Sequence, residues 1–395
     1  MKYDICVIGG SGHVGLPLAI MMAAKGKDVC IYDINEQSIA AIRSGAMPFE
    51  EEGAEPLLRQ VLANGKLHFS TNPEVVSESE TAVLIIGTPV DEHLNPNFKV
   101  FKKVIDELIP YFFDGQLLVL RSTIYPGLSK RINDWLLEAG KNLHVAFCPE
   151  RILEGKALEE LETLPQIISS FSDEGIRRSS ELFSLFTDDL IVVEPMEAEL
   201  AKLFTNAWRY LKFAVANQFY MIANDYNLDF YNIYRAMTHN YARTKDFPRP
   251  GFAAGPCLFK DTMQLAAFNN NNFHLGHTAM LINEGLPNYV VRCLKKEYTL
   301  SETVVGILGM AFKAESDDVR ESLSYKLKKI LEIEAKQVLC ADPYVKDASL
   351  SDEDTLIAQS HVIIIAAPHR RYATLKADGK KIVDIWNICN NGGKI

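Results

Sequence analysis

Ile5-Cys-Val-Ile-Gly-Gly10-Ser11-Gly12-His13-Val14-Gly15 breaks a short apolar run into four glycines, and Val29-Cys-Ile-Tyr-Asp33 follows. Ile5–Ile8 has the continuous apolar character of a strand buried on both faces. Val14 to Lys25 has helical apolar spacing, and Val29–Tyr32 is a second strand. Strand, glycine turn, helix and strand together make a dinucleotide-binding fingerprint. Gly10 is expected to form the tight turn, Gly12 to let backbone approach a pyrophosphate, and Gly15 to let helix pack on strand. Ser11, His13 and Val14 complete the cofactor-binding turn. Asp33, ending the second strand, is placed to accept hydrogen bonds from the ribose hydroxyls of NAD and to repel the extra phosphate of NADP.

Outward from this stretch, apolar strands recur at 82–86, 117–120 and 145–147, with helical stretches between them. Such alternation predicts an α/β fold with a doubly wound parallel sheet. Near residue 195 the character changes. From Glu197 to about Asn240 there is no proline or glycine, and Ala, Leu, Phe, Tyr and Asn abound. This predicts a long helix followed by shorter ones, which fits a dimer interface or an intramolecular core. A second α/β unit begins at Thr303, with a helix over 322–335 and strands at 337–341, 361–366 and 381–385. Ile86-Gly-Thr-Pro89 and Ile365-Ala-Ala-Pro368 echo each other as strand ends. The expected organisation is two Rossmann-like domains, 1–195 for NAD and 301–395 for a second nucleotide, joined by a central long-helix domain, 196–300.

The formal net charge of −10 argues against a nucleic-acid partner. No apolar run reaches the length of a membrane span, and the first residues enter a strand rather than a signal peptide. The seven cysteines form no CxxC pair and are odd in number. A reduced, cytoplasmic setting is the expectation.

Candidate chemistry lies at several points. Thr88-Pro89 and Ser122-Thr123 follow strand ends on the carboxyl edge, where open α/β sheets bind ligands. Lys202 and Asn206 are one helical turn apart, so their head groups share a face. Glu150 and Glu154 follow a strand. Cys257 stands in Gly251-Phe-Ala-Ala-Gly255-Pro-Cys-Leu-Phe-Lys-Asp261, ahead of an amphipathic segment. A thiol near a helix N-terminus is biased toward thiolate, and Asp261 lies one turn further on.

Gly10–Gly15, Gly87-Thr-Pro89, Ser122-Thr123 with Pro126-Gly127, Pro149-Glu-Arg-Ile-Leu-Glu-Gly155, Glu199-Leu-Ala-Lys202-Leu-Phe-Thr-Asn206, Gly255-Pro-Cys257-Leu-Phe-Lys-Asp261 and Gly309-Met-Ala-Phe-Lys313 with Asp317-Asp-Val-Arg320 occur in this order. The ordered set resembles the nucleotide-sugar 6-dehydrogenases, the group acting on UDP-glucose, UDP-N-acetylmannosamine and GDP-mannose, over nearly the whole chain. The resemblance implies two successive NAD-dependent oxidations at C6 of a nucleotide sugar, giving a uronic acid. Cys257 would hold the aldehyde as a thiohemiacetal and then a thioester; a thiol suits this because it attacks and leaves well. Lys202 would stabilise the developing oxyanion, and Asn206 and Asp261 would orient water and the reacting end. Thr123, Glu150 and Glu154 would line the water-bearing side, with Glu150 the base for thioester hydrolysis. Leu153 and Gly255 would touch the substrate, and Lys313 and Arg320 would contact substrate and cofactor. Arg243 matches an arginine that reaches the neighbouring subunit's nucleotide sugar, implying a homodimer built on the long helix.

The chain departs from the family pattern at two places. Ala254-Gly255-Pro256 stiffens the turn before Cys257. Asp384-Ile-Trp386-Asn387 carries Trp where a substrate-facing Arg is often found, so that stacking by Trp386 is one expectation. UDP is the expected nucleotide, and Pro149-Glu-Arg together with the short Arg243-to-Cys257 spacing points to an N-acetylhexosamine. Two other classes fit part of the pattern: a two-electron hydroxyacid dehydrogenase using Lys202 and Asn206, and a catalytically silent nucleotide-sugar-binding subunit.

Overall fold

A computed structural model describes residues 1–87, 98–252, 255, 257–377 and 379–395. The chain divides into two compact units, Met1–Phe204 and Thr205–Ile395, and the division falls inside the helix Pro195–Asp225.

In the first unit, six parallel strands form one sheet: β1 (Tyr3–Ile8), β2 (Val29–Tyr32), β3 (Leu67–Ser70), β4 (Ser79–Leu84), β5 (Leu117–Leu120) and β6 (His144–Phe147). Their order is β3-β2-β1-β4-β5-β6. The switch in winding therefore lies between β1 and β4, where such sheets bind ligands at the carboxyl edge. Successive strand residues serve opposite faces. Ile5, Val7, Val29, Ile31 and Val83 join one apolar core with the helix Gly15–Ala24. Cys6, Ile8, Ala82, Leu84, Leu118 and Leu120 join the other, with Phe101, Ile105 and Leu108. Covering both faces explains why these strands read as unbroken apolar runs. A short parallel pair, β7 (Gln166–Ile168) and β8 (Leu190–Val192), follows.

The predicted strands hold, with ends shifted by a few residues: β4 ends at Leu84 rather than Ile86, and β12 at Val383 rather than Ile385. β4 begins at Ser79 rather than Ala82, because Ser79 is fully buried and its hydroxyl donates to the Val75 carbonyl at 2.9 Å. Its polar start hides the strand from apolar patterning. β3 goes unanticipated for a related reason: Leu-His-Phe-Ser at a sheet edge is mostly half-exposed.

The second unit contains a four-stranded parallel sheet in the order β10-β9-β11-β12, from β9 (Val304–Leu308), β10 (Gln337–Ala341), β11 (Val362–Ile365) and β12 (Lys381–Val383). It also holds the helices Phe230–Thr238, Leu258–Phe268 and His274–Glu297. The helix Leu323–Glu334 is capped by Ser322, whose hydroxyl accepts from the Ser324 N–H, as its N-cap chemistry demands. Among the described residues, no helix is long and apolar enough to cross a membrane.

Candidate active site

In the glycine turn of the first unit, the left-handed position falls one residue before the expected one. The left-handed residue is Gly9, with φ of +75°, where a side chain would collide with the Ile85 carbonyl. Gly10 has no such φ; it is needed because a Cβ would crowd the Val7 carbonyl and Ile31. The tight turn thus belongs one residue earlier than the fingerprint predicts. A Cβ on Gly15 would lie 2.7 Å from the Gly10 Cα, so this glycine lets the helix pack against the turn. Around Gly12, by contrast, nothing lies within 4 Å of where a Cβ would stand. Its backbone is open just before the helix Gly15–Ala24, the space a pyrophosphate needs. His13 packs on the Phe49 ring at 4.0 Å between centroids, and Val14 is the N-cap residue.

Asp33 braces this turn from the end of β2. Its Oδ2 accepts from the Ser11 N–H at 3.0 Å and the Ser11 hydroxyl at 2.5 Å, and its Oδ1 accepts from the Asn35 N–H at 3.0 Å. The half-exposed carboxylate stands at the end of the second strand, where dinucleotide-binding folds carry their ribose-binding acid. Open backbone at Gly12 and a carboxylate at the end of β2 fit the adenosine and pyrophosphate of NAD.

The second unit repeats the arrangement and closes it. Asp342 follows β10 as Asp33 follows β2, and its Oδ2 accepts from the Met310 and Ala311 N–H groups at 2.6 and 3.0 Å. Its Oδ1 accepts from the N–H groups of Tyr344 and Val345. His369 Nδ1 accepts from the Glu315 N–H at 2.9 Å, so its proton sits on Nε2, 3.1 Å from Asp342 Oδ2. Asp342 is fully buried and spent on its own loops. Asp33, by contrast, is half-exposed.

At the carboxyl ends of β5 and β6, the Ser122 hydroxyl accepts from the Ile86 N–H and donates to the Ile86 carbonyl, at 2.8 and 2.9 Å. Ser122 is therefore structural, and Thr123 beside it is half-buried. Thr88 and Pro89 lie outside the described residues, as do Ala254 and Pro256. Glu150 is buried and ion-paired with the fully buried Arg121. Its Oε1 accepts from the N–H groups of Arg151 and Ile152 at 2.6 and 2.9 Å. Both oxygens are thus engaged, an outcome the sequence expectation of a hydrolytic base did not foresee. The following residues are pinned by two more carboxylates: Glu160 accepts from the Leu153 N–H at 2.5 Å, and Glu51 accepts from those of Gly155 and Ala157 at 2.8 and 2.6 Å. Glu154 sits half-buried inside this braced segment. The bracing residues Arg121, Glu51 and Glu160 carry no motif, and only their charge beside apolar sequence could have flagged them.

Lys202, half-buried, and Asn206, buried, are four residues apart in the helix Pro195–Asp225. In the second unit, Asn206 Nδ2 donates to Asp261 Oδ2 at 2.6 Å, and Lys260 Nζ is 3.7 Å from Asp261 Oδ1. Asp261 is fully buried in the first turn of the helix Leu258–Phe268, and Cys257 is that helix's N-cap residue. Of the seven cysteines, Cys257 is the exposed one. Lys313 holds its ammonium 5.4 Å from the Phe312 ring centre. Arg320 grips Asp318, with Nε 2.9 Å from each carboxylate oxygen. Arg243 is exposed and donates to the Tyr241 hydroxyl at 2.9 Å. Among the described residues, no cluster of His, Cys, Asp and Glu could hold a metal ion.

Three segments match the UDP-glucose/GDP-mannose dehydrogenase family: its NAD binding domain at 3–187, its central domain at 196–285 and its UDP binding domain at 306–391. A protein of Methanocaldococcus jannaschii named UDP-N-acetyl-D-mannosamine dehydrogenase is 30% identical, over 98% of this chain and 92% of that protein. The solved UDP-D-ManNAc dehydrogenase of Pyrococcus horikoshii is similar with a TM-score of 0.90 at 28% identity, covering 98% of this chain and 96% of that one. A UDP-glucose dehydrogenase from the archaeon Pyrobaculum islandicum gives 0.91 at 25% identity, covering 100% and 96%.

Proposed function

The chain belongs to the UDP-glucose/GDP-mannose dehydrogenase family and is an NAD-dependent nucleotide-sugar dehydrogenase; on that premise we propose that it oxidises C6 of a UDP-N-acetylhexosamine twice, holding the intermediate on Cys257. The observation that carries the covalent step is Cys257 itself: one exposed thiol among seven, at a helix N-cap, one turn before a buried Asp261 that accepts from Asn206. A two-electron dehydrogenase could use Lys202 and Asn206 but has no use for the thiol. The sugar is assigned from the relatives named for UDP-N-acetyl-D-mannosamine. The domain division 1–195, 196–300 and 301–395 is supported by the three matched segments.

NAD⁺, when bound, supplies the hydride acceptor. The Cys257 thiolate adds to the C6 aldehyde, forming the C–S bond of a thiohemiacetal, whose oxidation leaves a thioester. Water then breaks the C–S bond, the acid leaves with the second oxygen, and the thiolate is restored. Lys202 offsets the negative charge on the oxygen at each addition. Asp261 and Asn206 hold one another in register beside the thiol's helix, and orient water and the reacting carbon. Glu150, held by Arg121, takes the water's proton, and Thr123 and Glu154 line the same side. Lys313 would contact the substrate and Arg320 the cofactor, and Leu153 and Gly255 would touch the substrate.

Purified protein with NAD⁺ and a panel of UDP-N-acetylmannosamine, UDP-N-acetylglucosamine, UDP-glucose and GDP-mannose provides the test. Two NADH per sugar acid are expected, with the highest kcat/KM for UDP-N-acetylmannosamine. One NADH per sugar would favour the two-electron reading, and highest kcat/KM for GDP-mannose would overturn the substrate assignment.

A homodimer follows from the same helix. Trp208, Val215, Phe219 and Ile222 on it, with Tyr226 just past its end, recur at heptad-like intervals and are all exposed, Trp208 by 59% and Tyr226 by 77%. A contiguous apolar stripe of this length calls for a partner, and an identical helix supplies a matching one. Arg243 would then reach the partner's nucleotide sugar. Sedimentation equilibrium should give a dimer, and Trp208→Glu with Phe219→Glu a monomer; a monomeric wild type would refute the assignment. The composition and free cysteines favour a cytoplasmic location.

A further inference from the structure

Two glycines of the segment leading to Cys257 lie flat against aromatic rings. Gly251 has φ of +154°, and a Cβ there would overlap the benzene ring of the Trp386 indole. Gly255 has φ of +113°, and a Cβ there would come within 2.7 Å of the Phe312 ring. Each residue is anchored, Trp386 through its ring and Phe312 through its backbone. The Trp386 indole N–H donates to the Ala366 carbonyl at 2.9 Å, just past β11. The Phe312 N–H donates to the Asp318 carbonyl at 2.9 Å. Gly251 is gripped from a further direction by Asn217, which is fully buried. Its Oδ1 accepts from the Gly251 N–H at 2.8 Å and its Nδ2 donates to the Gly251 carbonyl at 3.1 Å. Asn217 is itself oriented by Asn283 Oδ1 at 2.9 Å, and Asn283 donates to the Tyr210 carbonyl at 3.1 Å.

We propose that Trp386 is a positioning residue for the Cys257 thiol, acting through Gly251, rather than a substrate contact; this rests on Cys257 being the nucleophile. Only glycine lets backbone approach a ring this closely, so the contact defines where the segment starts on its way to the thiol. Phe312 defines it again at Gly255. Thiol addition needs the sulfur within a few tenths of an ångström of its attack position, and a displacement of about 1 Å costs roughly 100-fold in rate. With its N–H committed to Ala366 and one face covered by Gly251, the indole is held as a wall for Gly251. The residue that breaks the family pattern in sequence thus serves the nucleophile, where stacking by Trp386 was one expectation.

The test compares Trp386→Ala, Trp386→Phe and Phe312→Leu with wild type, by steady-state kinetics, NADH per sugar acid, iodoacetamide labelling of Cys257 and thermal melting. Trp386→Ala is expected to lower kcat and change the Cys257 labelling rate by roughly 10- to 100-fold while KM for the UDP-sugar stays within about twofold. Trp386→Phe, which keeps a ring on Gly251, should restore most of kcat, and Phe312→Leu should repeat the kcat effect more weakly. If Trp386→Ala does not fold, a fall in kcat at constant KM in Phe312→Leu and, to a small degree, in Trp386→Phe supports the proposal, and unchanged kinetics in both overturn it. A raised KM at unchanged kcat would place the ring on the substrate and overturn it, as would losses no larger than the fall in folded fraction. Should Cys257→Ala retain full turnover, the covalent reading itself fails; normal Trp386 variants with an essential Cys257 sink the positioning proposal alone.

Discussion

Replacing Cys257 by serine is expected to stop acid formation, lowering kcat for the complete reaction by roughly 10³-fold or more, the scale seen when a nucleophile is removed. A serine hydroxyl at the same N-cap is almost wholly protonated at neutral pH and attacks an aldehyde poorly. Any ester it forms holds its acyl group more tightly than a thioester. None of the other thiols is placed to take over. Burial pushes Cys30 and Cys389 up to about 12 and Cys148 and Cys340 up to about 11. It also raises Cys6 and Cys293. A raised pKa keeps the neutral thiol through the working range, and the neutral thiol is not the nucleophile. Iodoacetamide should accordingly label Cys257 first in the native protein. The decisive measurement is product analysis of Cys257→Ser with an aldehyde trap and NADH counting: little or no sugar acid is expected, with whatever turns over stalled near the aldehyde. Acid production at the wild-type rate would remove the covalent step from the mechanism.

Sequence legibility tracked burial and backbone demand. Ile5–Ile8, Leu117–Leu120 and Val362–Ile365 could be read because a parallel sheet covered on both faces requires unbroken apolar runs. β3 and the start of β4 could not, since an edge strand and a buried serine break that rule. The glycine turn was visible, yet the left-handed residue proved to be Gly9, because clash with Ile85 is a tertiary fact that spacing does not carry. Cys257, Asp261 and Asn206 were legible as residue types at helical spacing, and the fold joins Asn206 to Asp261. What stayed hidden were the neighbours that use up a functional group. Nothing in Pro149-Glu-Arg says that Glu150 will be met by Arg121 from the adjacent strand, and nothing around Trp386 says that its ring will lie on Gly251. Such pairings depend on strand order and loop placement, and so appear only once the chain is folded.

Arg121→Ala should be among the most destabilising single changes in the first unit. The guanidinium is fully buried, pairs with Glu150, donates to the Cys148 carbonyl at 3.0 Å and to Gln166 Oε1 at 3.1 Å, and lies 4.5 Å from the Phe183 ring centre. Its truncation leaves the Glu150 carboxylate buried without a counter-ion, which costs about 3–5 kcal/mol. For a unit of this size that corresponds to a fall of roughly 10 °C in melting temperature. The penalty is for the orphaned charge more than for the lost bond, so Arg121→Met combined with Glu150→Gln should recover much of the loss. Circular dichroism melts of the two variants measure this directly; an unchanged melt for Arg121→Ala would show that the pair contributes nothing. Catalysis separates the two roles of Glu150. If it only braces the segment carrying Glu154, the stabilised double variant should keep a substantial part of kcat when corrected for folded protein. If Glu150 itself transfers the proton, that variant should be folded and inactive in releasing the acid. The buried pair ties the end of β5, next to Thr123, to the start of the segment that holds Glu154, so loosening it should slow the hydrolytic step before it weakens nucleotide-sugar binding.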